Sequence, residues 1–111
     1  MQKADINITF SINSHEKAIL EKISLALKDG DSVLTALETA CGQFDIAIEK
    51  RGVGSFAYIV GIDNLREKDV EATAGWIYEV NGEMVNSGVG SKKLADGDNV
   101  EFIFSLKPDI G

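Results

Sequence analysis

Basic residues are scarce and scattered. Eleven Lys and Arg stand against 18 Asp and Glu, a net charge of −7 over 111 residues. The tightest basic runs are Lys50-Arg51 and Lys92-Lys93, so no cluster is available to displace counterions from a phosphate backbone. That argues against nucleic acid and anionic membranes as partners; the acidic excess provides solubility. Cysteine occurs once, as Cys41, which rules out an internal disulfide and a cysteine-based zinc site. The redox compartment stays open, because a single thiol suits the cytosol and a secreted chain alike. No apolar run approaches the ~18 residues of a membrane span, and no membrane insertion is expected. Met1-Gln2-Lys3-Ala4-Asp5 contains no apolar signal core. This leaves a cytosolic protein or one whose leader has been removed, and the abrupt start of a charged first strand favours the second.

What is present is ordinary globular material: 44% hydrophobic and 26% charged residues, enough for one cooperative core without staples. The whole chain, 1–111, reads as a single module. Residues 5–12 alternate polar and apolar, with Ile6, Ile8, Phe10 and Ile12 on one face of a half-buried strand. A turn at Asn13-Ser14-His15-Glu16 leads to a second strand within 18–28, with Ile23, Leu25 and Leu27 inward, although this stretch also fits a short helix. Asp29-Gly30-Asp31-Ser32 then stops the strand, and Asp31 or Ser32 can cap a helix. Val33, Leu34, Leu37, Ala40 and Cys41 carry its apolar stripe and Gly42 its stop, so the helix covers about residues 31–41.

After the helix, Phe44, Ile46 and Ile48 share one side of an alternating strand. Arg51-Gly52-Val53-Gly54-Ser55 turns the chain into an apolar strand from Phe56 to Ile62. A polar connection runs from Asp63 to Ala74, with four acids (Asp63, Glu67, Asp69, Glu71) and two bases (Arg66, Lys68). Trp76, Tyr78 and Val80 then alternate into Asn81-Gly82, a hairpin signal. Leu94, a turn at Ala95-Asp96-Gly97-Asp98, and Val100, Phe102 and Phe104 complete the last strand. One three-turn helix among five or six strands must bury its stripe against a sheet. The fold class is therefore α+β, with a β-grasp-like mixed sheet packed against one helix.

The parts of an enzyme are not assembled. His15 lies in a polar turn, far in sequence from Cys41, and Cys41 sits on the inward helical stripe, where a buried thiol is the usual occupant. Asp29-Gly30-Asp31 and Asp96-Gly97-Asp98 place carboxylates two apart, but neither continues into a calcium loop, so they read as turns and no metal is predicted. Gly52-Val53-Gly54 and Gly88-Val89-Gly90 lead into strands, not helix amino ends, and so are bends instead of phosphate loops. The remaining material is aromatic and apolar: Phe56, Tyr58, Trp76, Tyr78, Met84 and Val85. Met84-Val85 beside the polar tip Asn86-Ser87-Gly88-Val89-Gly90 has the form of a contact loop.

Four stretches occur in the order and spacing of a known family. They are Ser32-Val33-Leu34-Thr35-Ala36-Leu37, Tyr58-Ile59-Val60-Gly61-Ile62-Asp63-Asn64-Leu65, Gly75-Trp76-Ile77-Tyr78-Glu79-Val80-Asn81-Gly82-Glu83 and Leu94-Ala95-Asp96-Gly97-Asp98. Over residues 30–105 the chain resembles the C-terminal β-domain of transcobalamin and intrinsic factor, and more closely the stand-alone bacterial form of that domain. The resemblance implies a non-catalytic module that closes over one side of cobalamin or a related corrinoid. Ile59, Tyr78 and Val85 are then the contacts, with Asn86 and Gly88 on the same loop. It also implies an extracellular or cell-surface setting. The chain lacks the carriers' helical domain and their cysteines. A surface module binding a protein or glycan through the same loops is the alternative. Val80-Asn81-Gly82-Glu83 with the Asp96-Gly97-Asp98-Asn99-Val100-Glu101-Phe102 run is also similar to the sulfur-carrier proteins of thiamin and molybdopterin synthesis. Those end in Gly-Gly, whereas this chain ends Pro108-Asp109-Ile110-Gly111, so that likeness is read as shared turn chemistry.

Overall fold

The alternation of residues 5–12 seeds the central strand of the molecule. In the computed structural model, which describes residues 5–69 and 72–106, β1 (Asp5–Asn13) buries Ile6, Ile8, Phe10 and Ile12 on one face. Antiparallel to it runs β2 (Ala18–Lys28). Opposite Phe10 lies Ile23, but opposite Ile12 lies Leu20 and opposite Asn13 lies Ala18, so β2 carries extra residues at two bulges. The bulges shift the inward set from Leu27 and Leu25 to Leu20 and leave Ile23 half-buried. They are also why this segment lacks a clean period of two.

β8 (Asn99–Ser105) pairs parallel to the other edge of β1, and β6 (Gly75–Val80) and β7 (Glu83–Met84) continue the sheet antiparallel, giving the order β2-β1-β8-β6-β7. The register Trp76 to Phe104, Tyr78 to Phe102 and Val80 to Val100 puts these six side chains on the face of Phe10 and Ile12. Asn81 and Gly82, both at positive φ (56° and 83°), make the two-residue hairpin between β6 and β7. The opposite face is largely polar: Thr9 donates to Asn99 (2.6 Å) and Asn13 to Glu101 (2.8 Å). The Asp96-Gly97-Asp98 turn seats β8 against β1. Asn7 N–H donates to Asp96 Oδ1 (2.8 Å), Gly97 N–H to the Asn7 carbonyl (2.8 Å) and Thr9 N–H to the Asp98 carbonyl (3.0 Å).

Helix α1 (Val33–Phe44) covers the apolar face with Val33, Ala36, Leu37, Ala40 and Cys41. It runs past Gly42, where the sequence places its stop. The turn to left-handed backbone comes at Asp45 (φ 57°), a residue whose short side chain tolerates that region. Phe44 is consequently the last helical residue and exposed, not the first inward residue of a strand. The next strand, β3 (Ile48–Arg51), is correspondingly short. A 3₁₀ turn at Gly54–Phe56 follows, so the apolar strand, β4 (Tyr58–Ile62), begins two residues later than the alternation suggests, and Phe56 stands 84% exposed. Together with β5 (Leu65–Arg66), β3 and β4 form a second antiparallel sheet, order β3-β4-β5. Ile59 and Ile62 of β4 join the same core as α1 and the large sheet. The mixed sheet and single helix of an α+β fold are thus present, with a three-stranded sheet added. Glu71, Pro108-Asp109-Ile110-Gly111 and Met1 to Ala4 lie outside the described residues.

Ser32 caps α1 with its Oγ accepting from the Thr35 N–H (3.2 Å). Replacing it by alanine removes that acceptor from a buried position and costs about 1 kcal/mol. Urea denaturation of Ser32→Ala is expected to show that loss as a lower midpoint with an unchanged slope.

Candidate functional site

The inward aromatic residues of β6 and β8 form one side of a cleft of about 530 Å³ that opens along β6. Its lining comes from four places: Tyr58 and Ile59 at the start of β4, Glu67 and Lys68 with Ala72 to Gly75, Trp76 to Tyr78 of β6 with Phe102 behind, and residues 84–89. Ile59, Tyr78, Val85, Asn86 and Gly88, the five positions drawn from the sequence, all line this one cleft. Ile59 is buried, Val85 and Gly88 are half-buried, and Asn86 is exposed.

Tyr78 ties the wall to the loop. Its ring stacks on Phe102 (centroids 5.5 Å, 25° between planes). Its hydroxyl donates to the Ser87 carbonyl at 2.7 Å, with the Gly88 carbonyl at 3.3 Å. Burial pushes the phenol pKa up, against a smaller lowering contribution from the Ser87 side chain. The side chain is 5% exposed, so what it offers a ligand is mainly the position of the loop. From its other end the loop is tied to the helix. Leu34 N–H donates to the Val89 carbonyl (3.0 Å) and Val33 N–H to the Lys92 carbonyl (2.9 Å), while the Val89 and Leu94 side chains are buried.

Tyr58, Trp76 and Met84, singled out in the sequence as aromatic and apolar material, also line the cleft, whereas Glu67, Lys68 and Ala72 to Gly75 of its other wall were not foreseen. Trp76 is half-buried, its indole N–H donating to the Leu65 carbonyl (2.8 Å) and its ring edge-on to Phe104 (5.3 Å). Tyr58 and Met84 are exposed large side chains on the lining. The small run Ala72-Thr73-Ala74-Gly75 before Trp76 leaves the space beside the ring, and that run was the available signal. Phe56 does not line the cleft.

The other candidates are occupied structurally. Asp31 Oδ2 accepts from Lys28 N–H (2.9 Å), and Asp98 accepts from Ala95 N–H (2.9 Å) and Asn81 Nδ2 (3.0 Å); both Asp-Gly-Asp runs work as turns. Among the described residues no group of three or more His, Cys, Asp and Glu is placed to hold a metal ion. His15 rests against Phe104 (5.5 Å) at the β1–β2 turn. Cys41 is buried in the core, and burial, reinforced by Asp63, pushes its thiol up to about 11, the reverse of what a nucleophile needs.

The model of the family described as a domain of unknown function (DUF4430) matches residues 30–105, and the chain belongs to that family. Among solved structures it is similar to haptocorrin in complex with Cbi, at 23% identity and a TM-score of 0.77 over 95% of this chain. It spans 26% of the haptocorrin chain. It is also similar to a candidate metal-binding protein from Ruminococcus gnavus ATCC 29149, at 17% identity and a TM-score of 0.66, over 90% of this chain and 96% of the other. No curated protein matches the chain. At these identities the likeness is one of fold.

Two outcomes follow from this geometry. Tyr78→Phe keeps the stacked ring but leaves the Ser87 carbonyl without its donor. The loss expected in chemical denaturation is about 1 kcal/mol, with faster hydrogen exchange confined to residues 85–91. For Cys41, a folded pKa raised above its ordinary value stabilises fully below that value. The contribution is lost as pH rises from 9.0 to about 11. A Cys41→Ala variant should therefore show a shallower fall of stability over that window than the parent, in parallel urea titrations.

Proposed function

We propose that this DUF4430 domain is a non-catalytic ligand-binding module whose ligand is cobalamin or a related corrinoid, contacted by Ile59, Tyr78, Val85, Asn86 and Gly88. One observation carries the reading. Five residues drawn from three separate sequence stretches, on the strength of a likeness to the vitamin carriers, line a single cleft. The cleft's volume, about 530 Å³, falls in the range of small-molecule sites, and its lining of aromatic and aliphatic side chains with a few polar groups has their usual composition. Haptocorrin, whose fold this chain shares over 26% of haptocorrin's length, is a protein solved with Cbi bound.

The chemistry required is modest. Ile59 and Val85 offer apolar contact to the edge of a large ring, and the Asn86–Gly88 backbone offers hydrogen bonds to peripheral amides. Tyr78 holds the loop at the height where both can act. No group of the cleft needs to move a proton or attack a bond. An extracellular or cell-surface setting accompanies this reading, as it does the vitamin carriers. The alternative of a protein or glycan partner draws no support from the comparisons.

Titrating the domain with cyanocobalamin and aquocobalamin, by calorimetry and corrin absorbance, tests the proposal. Saturable binding is expected, weakened about tenfold by Val85→Ser through lost apolar contact while the melting curve stays cooperative. Absence of heat and of spectral change up to millimolar ligand would remove corrinoids from consideration.

A further inference from the structure

Lys68 is set apart by its backbone. Among the described residues five that are not glycine have positive φ: Asp45, Asp63, Asn64, Asn81 and Lys68, the last at 69°. Four are Asp or Asn, whose short polar side chains bond locally and tolerate this region; lysine has no such advantage. The position is firmly built. Lys68 N–H donates to the Ala74 carbonyl (3.0 Å). The turn around it is closed twice, by Arg66 N–H on Asp69 Oδ2 (2.8 Å) and Asp69 N–H on the Arg66 carbonyl (3.1 Å). Glycine or asparagine would fit this turn with less strain, so the backbone gives no reason for a lysine here. The side chain does.

Lys68 is the one cation in the lining of the cleft among the described residues, in a chain of net charge −7. Neighbouring cations are engaged: Arg66 pairs with Glu49 (2.8 Å) and Lys50 with Glu38 (3.0 Å). No carboxylate of the described residues forms an ion pair with Lys68. Asp69 is spent on its turn, and Glu67 shares the lining without ion-pairing to it. Lys68 is exposed, and an ammonium in the lining of this cleft is a ready partner for an anionic oxygen of a ligand.

We propose that Lys68 selects, among ligands of this cleft, those carrying an anionic oxygen at the rim; among corrinoids these are the ones with a phosphodiester or a free carboxylate. This rests on the corrinoid reading above. The apolar lining contributes similar contact to every corrinoid, so the ammonium supplies discrimination more than affinity, and its effect fades as salt screens it.

Three corrinoids in excess cyanide, and so with identical axial ligands, test it. They are dicyanocobalamin with its phosphodiester, cobyric acid with its carboxylate, and cobinamide with neither. The intact chain should bind the first two about fivefold tighter than cobinamide, the size expected of a partly exposed ion pair. The ratio should shrink at high salt, persist in Lys68→Arg and collapse to near one in Lys68→Met, with melting curves confirming both variants folded. A preference for dicyanocobalamin alone assigns the phosphodiester, and one for cobyric acid alone the carboxylate. Equal affinities for all three in the parent, or a ratio unchanged in Lys68→Met, overturns the proposal while leaving corrinoid binding intact. Failure of all three to bind overturns the corrinoid reading and this inference with it.

Discussion

Four N–H groups at the amino end of α1 need acceptors, and how they find them links the helix, the sheet and the cleft. Thr35 N–H uses the Ser32 side chain and Ala36 N–H the Ser32 carbonyl, while Val33 and Leu34 reach across to Lys92 and Val89. Left unpaired in a buried place, each donor would cost about 1–3 kcal/mol. The helix therefore holds the loop as firmly as the loop caps the helix. Leu94 N–H on the Asp31 carbonyl (2.9 Å) closes the same junction from the other strand of chain. With its carboxyl-side end tied to the helix and its middle to the Tyr78 hydroxyl, the 85–89 segment that follows β7 gains a fixed shape without being part of a sheet.

That arrangement suits a binding surface. Loops presented by rigid elements keep their contact groups in place, and a ligand then pays little ordering entropy on docking. The opposite wall follows a similar plan with different chemistry. Trp76 anchors Leu65 through its indole, and the Arg66–Asp69 turn is closed by its own backbone and by Asp69. Each wall is thus fastened to β6 by an aromatic side chain that hydrogen-bonds a carbonyl, that of Leu65 in β5 on one side and that of Ser87 in the loop on the other.

The sequence was most legible where one local rule acts alone. The alternation in β1 and β8 and the Asn81-Gly82 hairpin are of that kind and stand as read, and of the two candidate caps, Asp31 and Ser32, it is Ser32 that takes the role. It was least legible where tertiary contacts override the pattern. Two bulges in β2 break its period of two. Gly42 stays helical because the turn three residues on, at Asp45, supplies the left-handed residue that ends a helix. The separate β3-β4-β5 sheet is invisible to any single-strand pattern, since strand alternation says nothing about which sheet a strand joins. For the cleft, the contact loop was readable from Met84-Val85 beside glycines. The wall containing Lys68 was not, because a polar connection of mixed charge ordinarily means solvent-facing loop.

The parallel pairing of β1 with β8 also sets when this molecule can fold. Thr9 and Asn99, hydrogen-bonded neighbours at the centre of the large sheet, are 90 residues apart. The sheet cannot close until almost the last strand is available, and closing so long a loop takes its entropy before the contacts return it. A chain emerging from a ribosome would hold the β1–β2 hairpin and α1 with one apolar face unmatched until residue 105 clears the exit. Shortening either end into β1 or β8 should not trim the domain gradually but abolish it, because both ends meet in its middle.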